Sequence, residues 1–402
     1  MKILYKALAV LTASLLTLTL TSCPTLPIGP DKTPLVYRVN TVLGGMDPMF
    51  PSHPRPIVWN HLLIGSSGTE LAAYDLNDGS LRWRQELDQP FYFKLRGDEV
   101  LTWPLIDQDA NMTGLKVNLL DAASGQIDES LDLSAPADVL RSLRPESMVI
   151  NGNDVYIGAT RGVIHTFQLG SGGVTLANTA HIDEIYDISG YNDHPEHFYI
   201  YNMLREPDSG DLFVAVRAPY YSDSGWHSLF RVNPATGAVV WAGSASAADM
   251  LLVGDSLFLG AYSEVRAVDP ASGEERWHYH LSSDAGVNPG SLIYDPALPA
   301  VVAPFGVIKL VGQGIEVWNI SDVYTFVGEC YNYPALLDGV VYYAGHSGLL
   351  AFDESSGALL SSHIFDDSPY LRLDGYAFSD EGRIYVLLDN ELSAYLPVGN
   401  HN

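Results

Sequence analysis

The stretch Val265-Arg266-Ala267-Val268-Asp269-Pro270-Ala271-Ser272-Gly273-Glu274-Glu275-Arg276-Trp277 recurs in degenerate copies along the sequence, which commits the chain to an array of like units. Val265 and Ala267 alternate as in a half-buried strand. The Asp269 carboxylate can accept backbone N–H groups two residues on, Pro270 fixes φ and Gly273 tolerates φ > 0, so the centre reads as a tight turn. Trp277 lies four residues after the glycine, far enough into a return strand to bury its ring. The unit is a β-hairpin.

Aligned on its Asx residue, the hairpin recurs at Asp75, Asp121, Asn233 and Asp353, each with a glycine four residues on, and in weaker copies at Gln168, Asn319 and Leu396. The position four before the anchor is Leu71, Val117, Ile164, Leu229, Val265, Ile315, Leu349 or Leu392, always aliphatic. The position two before is small in Ala73, Ala267, Ala351 and Ala394, and Arg231 departs from this. Trp83, Trp241 and Trp277 all stand four after the glycine. Anchors recurring every 40–50 residues or so, with several strands and no helix per period, are the mark of propeller blades.

Most units carry a further strand upstream: Leu62–Gly65, Val155–Gly158, Leu212–Val216, Leu257–Gly260, Val341–Gly345 and Ile384–Val386. With strands A to D running outward from the axis, these are B strands and the repeated motif is the C–D hairpin. The expectation is an all-β, eight-bladed propeller of four-stranded antiparallel blades, or seven blades if a weak copy fails. The last unit ends without an outer strand, and the alternating segment 35–43 is expected to supply it and close the ring. Strand alternation sends the A–B and C–D turns to one rim and the longer B–C and D–A connections to the other.

Tyr74-Asp75-Leu76-Asn77-Asp78-Gly79-Ser80-Leu81-Arg82-Trp83 and the Val268–Trp277 segment resemble the pyrroloquinoline-quinone-type β-propeller repeat. The resemblance covers almost the whole chain after its N-terminal segment. It implies the fold and assigns the repeat tryptophans to blade packing. Quinoprotein dehydrogenases of that type hold the quinone against a pair of adjacent cysteines; this chain has no Cys-Cys pair and no C-x-x-C-H. No cofactor is expected, and an enzyme is the third reading.

Residues 1–22 read as a signal segment, with Lys2 and Lys6 before an apolar run, and Leu20-Thr21-Ser22-Cys23 resembles the bacterial lipobox. Lipidation at Cys23 would give stable membrane anchoring through several acyl chains. Residues 23–34 then read as a tether and 35–402 as one propeller domain. With Pro24-Thr25 rather than Asp after the cysteine, the lipobox resemblance implies the outer membrane, facing the periplasm. Cys330 is the only other cysteine, so with Cys23 acylated no disulfide forms within the chain, and Cys330 is read as a buried thiol. Lys2 and Lys6 leave with the signal segment, so 21 basic residues become 19 against 48 acidic ones and the net charge moves from −27 to −29. That field disfavours nucleic acid and anionic lipid surfaces. The membrane is engaged through the lipid alone, and the propeller is expected to be monomeric.

The irregular rim carries the candidate contacts: Tyr220, Tyr221, Trp226 and His227 in one connection, His194 and His197 in the longest one. Aromatic side chains among polar loop residues suit a partner or ligand surface. Asp107, Asp109 and Asn111 have calcium-loop spacing, but Met112 stands where the glycine belongs. His278 and His280 would share one strand face. Lipobox, length and repeat together resemble the propeller lipoproteins of outer-membrane β-barrel assembly. That resemblance implies a non-catalytic scaffold for envelope proteins; the alternative is a module binding a sugar, peptide or small molecule.

Overall fold

The computed structural model describes residues 33–43, 55–106, 114–182, 199–217, 227–245, 247–261, 264–280, 292–303, 306–309, 315–319, 334–345, 348–365, 375–388 and 390–399. Among them the strands form six four-stranded sheets and one of eight strands. A representative sheet runs Ile57–Trp59, Leu62–Ser67, Glu70–Asp75 and Leu81–Glu86, each antiparallel to the next. First strands of successive sheets lie side by side: Leu143–Asn151 lies against both Phe91–Arg96 and Tyr199–Arg205, and Ala335–Leu337 against Ile293–Asp295 and Gly375–Asp380. The architecture is a β-propeller. Its core lies between sheets, as in the cluster that packs Ile64, Leu71 and Trp83 against Phe93, Val100 and Leu120 of the following strands.

The repeated hairpin folds as its chemistry requires. Gly79, Gly125, Gly237, Gly273 and Gly357 each donate their N–H to the carbonyl of the anchor four residues earlier, at 2.8 to 2.9 Å. At Asp269 the Oδ1 atom also accepts from Ala271 N and Ser272 N at 2.8 and 2.9 Å, and Asp353 does the same with Ser355 and Ser356. The glycine φ angles, 69° to 77°, are ones that a side chain tolerates poorly.

These turns also receive the preceding sheet. Trp83 donates its indole N–H to Ala122 O at 2.9 Å, Trp241 to Pro270 O at 2.9 Å and Trp318 to Glu354 O at 2.7 Å, each carbonyl being one residue past an anchor. The rings lie flat on the turn glycines, so that a Cβ on Gly125, Gly273 or Gly357 would come within 2.5 Å of the indole. Asn178 takes the tryptophan's place in one unit, donating to Pro234 O at 2.9 Å. Tyr37 takes it in another, donating to Leu76 O at 2.8 Å and lying over Gly79.

Three expectations are corrected. Among the described residues there are seven sheets where eight separate blades were expected: the outer strands Ile127–Ser134 and Gly173–His181 pair in parallel through Val174 with Leu133 and Thr175 with Ser134, giving one sheet of eight strands. The merger depends on a close approach at Gly173, φ 118°, where a Cβ would sit 2.7 Å from Asp132 O. The copy anchored at Asn319 was set one strand late: Ile315–Asn319 is the outer strand, paired with Gly306–Lys309. The helix-free period also has an exception, the short helix Ala137–Ser142.

Leu35–Asn40 pairs antiparallel with Glu391–Tyr395, in a sheet ordered Leu35–Asn40, Glu391–Tyr395, Arg383–Leu388, Gly375–Asp380. Leu43, 1% exposed, follows it and packs against Gly65 of the first full sheet. Arg383 and Tyr385 reach the same place, donating to Asn77 O and Leu76 O, both at 2.8 Å.

Candidate functional site

Alternating strand direction makes the two rims unlike. The short-turn rim is closed by the backbone bonds described above and by ion pairs. The Arg276 guanidinium first, then the N–H groups of Ser272 and Ala271, hold the Asp269 carboxyl down at about 2. Arg231, where a small residue was expected, reaches Asp211 at 2.8 Å and donates to Pro270 O at 2.9 Å, so it joins the seam rather than disturbing it. Such saturated turns leave few free donors or acceptors for a partner.

The opposite rim contains a groove of about 290 Å³ between the first full sheet and the next. Its walls come from the end of Leu81–Glu86 with Leu87, Asp88 and Gln89, and from Thr102, Pro104, Gly114, Lys116, Asn118 and Ser130. Three adjacent strands place a polar row there: Ser130 Oγ donates to Asn118 Oδ1 at 2.8 Å, and Asn118 Nδ2 to Thr102 Oγ1 at 3.3 Å. Lys116 is paired with Asp132 at 2.5 Å. Amide and hydroxyl groups over the apolar Phe91 and Ile127 can recognise a neutral polar ligand or an extended peptide by hydrogen bonds. Nothing in the linear sequence marks this groove, because its polar row is assembled across strands.

Pro104 and Lys116, both in the groove's lining, are the strand ends that flank the connection carrying Asp107, Asp109 and Asn111. Those three residues lie outside the described residues, as do Tyr220, Tyr221, Trp226, His194, His197, Cys23 and Cys330. His227 begins the strand His227–Val232, opposite Arg217 at the same rim. His278 and His280 do share a strand face, and Glu264 across the pair stands 3.6 Å from His278 Nε2 and 4.0 Å from His280 Nε2. Arg266 also binds that carboxylate, at 2.8 Å, so Glu264 is already paired with a guanidinium. Among the described residues no three His, Cys, Asp or Glu side chains are grouped to hold a metal.

Charges near the first strands are of another kind. Burial, reinforced by the Arg55 charge, pushes the Lys94 ammonium down to about 8. Burial likewise raises the Glu146 carboxyl. Between two sheets, burial and then Asp295 push Glu354 up to about 7.

Repeat, sheet order and seam contacts define a propeller of the pyrroloquinoline-quinone repeat type. The family described as outer membrane protein assembly factor BamB matches residues 40–194 and 208–362, and the chain belongs to it. Among curated proteins none matches the sequence. Among solved structures, a quinohemoprotein alcohol dehydrogenase from Comamonas testosteroni is similar over 92% of this chain and 77% of its own, at 11% identity and a TM-score of 0.58. The computationally designed Ika8 protein is similar over 89% of this chain and all of its own, at 13% identity and a TM-score of 0.57. BamB from Moraxella catarrhalis aligns over 91% of this chain and all of its own, at 15% identity and a TM-score of 0.41. At these identities the first two likenesses are of fold alone. No helix among the described residues is long and apolar enough to cross a membrane.

Proposed function

We propose that the chain is a non-catalytic, lipid-anchored scaffold on the periplasmic side of the outer membrane, holding protein partners of outer-membrane protein assembly. The carrying observation is the family match across residues 40–194 and 208–362. Cys23 carries the lipid, residues 23–34 are the tether, and the monomeric domain begins at residue 35. The ring is read as eight blades: the eight-stranded sheet counts as two blades joined at their outer strands, and Leu35–Asn40 is the outer strand that completes the last blade. Pairing of that strand with Glu391–Tyr395 supports this count. The irregular rim, with Tyr220, Tyr221, Trp226, His227, His194 and His197, is the partner face, since the turns of the other rim are already saturated. The missing Cys-Cys pair speaks against quinone chemistry.

Native lipidated protein is to be extracted in mild detergent and its companions identified by mass spectrometry. Outer-membrane assembly components are expected in fixed ratio, and Tyr220→Ala with Trp226→Ala should release them. Isolation of the protein alone would overturn the scaffold. A second reading rests on the groove beside Thr102, Asn118 and Ser130, whose polar row suits a sugar or peptide.

A further inference from the structure

We infer that the seam between the sheet beginning Ile293–Asp295 and the sheet beginning Ala335–Leu337 is a proton-operated joint, closed while the buried Glu354 carries a proton and loosened when it ionises.

The residue after the anchor marks Glu354 as out of pattern. In the other well-formed copies that position is Leu76, Ala122, Pro234 or Pro270, none of them titratable. Here it is an acid with 3% of its surface exposed. Its backbone is the seam itself: Glu354 O accepts the Trp318 indole N–H at 2.7 Å, and Glu354 N donates to Gly339 O at 2.9 Å. Moving this residue therefore moves the ring that packs on Gly357.

Asp295, 6% exposed, belongs to the neighbouring sheet, and its carboxyl is, after burial, the cause that raises Glu354. Both Asp295 oxygens are occupied, Oδ1 accepting from Ala297 N and Oδ2 from Leu298 N at 2.9 Å each, so neither is left without a donor. Glu354 Oε1 is buried without a hydrogen-bond partner, as suits the carbonyl oxygen of a neutral acid better than half of a carboxylate. The charges acting on Glu354 are both negative, Asp295 across the seam and Asp353 beside it, and Asp353 is held as an anion by Ser355 and Ser356. Asp338 precedes Gly339, whose carbonyl accepts from Glu354 N. Two ionised carboxylates buried together repel one another and lack water. Burial and Asp295 place the loss of the proton at about 7.

The sign follows from linkage. An acid raised in the folded chain contributes its full stability below the unfolded value of 4.5 and loses it as pH rises to about 7. Across that window the folded-to-unfolded ratio of wild type should fall, relative to Glu354→Gln, by about tenfold per pH unit, and then run level. The full-length chain is to be unfolded in denaturant between pH 4.5 and 8.5, followed by tryptophan fluorescence. Glu354→Gln keeps the shape and cannot ionise. Asp295→Asn, which removes the opposing charge, should move the wild-type midpoint to lower pH and reads the joint even where Glu354→Gln fails to fold. Parallel pH profiles for wild type and Glu354→Gln, or an unmoved midpoint in Asp295→Asn, would overturn the joint.

Discussion

Gly273 lies under the Trp241 ring at φ 77°, whereas Gly339 has φ 74° and nothing within 4 Å of a built Cβ. Alanine at either position meets the left-handed backbone cost of about 1–2 kcal/mol. Only Gly273→Ala must also displace an indole, and overpacking adds about 1–3 kcal/mol. Gly273→Ala is therefore expected to unfold at clearly lower denaturant than Gly339→Ala; equal losses would mean that the ring yields freely. His61 supplies a pH prediction. Its Nδ1 is 2.9 Å from Asp380 Oδ2 and its Nε2 3.1 Å from Glu381 Oε1, so both ring nitrogens face carboxylates of the last sheet. The Asp380 hydrogen bond, outweighing partial desolvation, raises the imidazole above its ordinary value. This contribution is complete below pH 6.5 and fades as pH rises through the folded value. Melting curves should show wild type losing its margin over His61→Gln between mildly acidic and mildly alkaline buffer; a constant margin would remove His61 from the pH response.

Within each hairpin, Asx and glycine determine the turn locally, so their positions are readable in the sequence at Asp75, Asp121, Asn233, Asp269 and Asp353. The seam donors were only half readable. What the next sheet requires is an N–H or O–H aimed at one carbonyl, and Trp83, Asn178 and Tyr37 all meet it, so a search for tryptophan alone passes over two of the three. An anchor at Asn319 leaves Trp318 out of the pattern, although Gly314 stands four residues before the ring, as in the other copies. The parallel junction at Val174 and Leu133 rests on one glycine at a strand start, a feature without periodicity. The groove escaped for a related reason: Thr102 and Asn118 are 16 residues apart and Asn118 and Ser130 are 12 apart, so only strand register unites them. Local bonds can be read along a chain, whereas lateral neighbours require the sheet.

At the scale of the molecule, the segment 35–43 touches both the last sheet and the first full one: its strand pairs with Glu391–Tyr395, Tyr37 rests on Gly79, and Leu43 packs on Gly65. Removing residues 33–43 strips the outer edge from Glu391–Tyr395 and exposes the pocket of Leu43, whose burial alone is worth about 2–3 kcal/mol. The truncated chain should melt in a single transition at lower temperature, read by circular dichroism. Unchanged melting would show that the strand is dispensable.

The same pairing has a kinetic side. Thr41 and Asn390 are hydrogen-bonded across 349 residues of sequence. A chain that emerges N-terminus first must carry Leu35–Asn40 without its partner until Glu391–Tyr395 has been synthesised. Contacts of such span come at the end of folding, because their loop-closure entropy is met before they return any stability. An incomplete polypeptide thus presents an unpaired strand edge until its last strands have been made, and in that interval the edge is open to pairing with another chain.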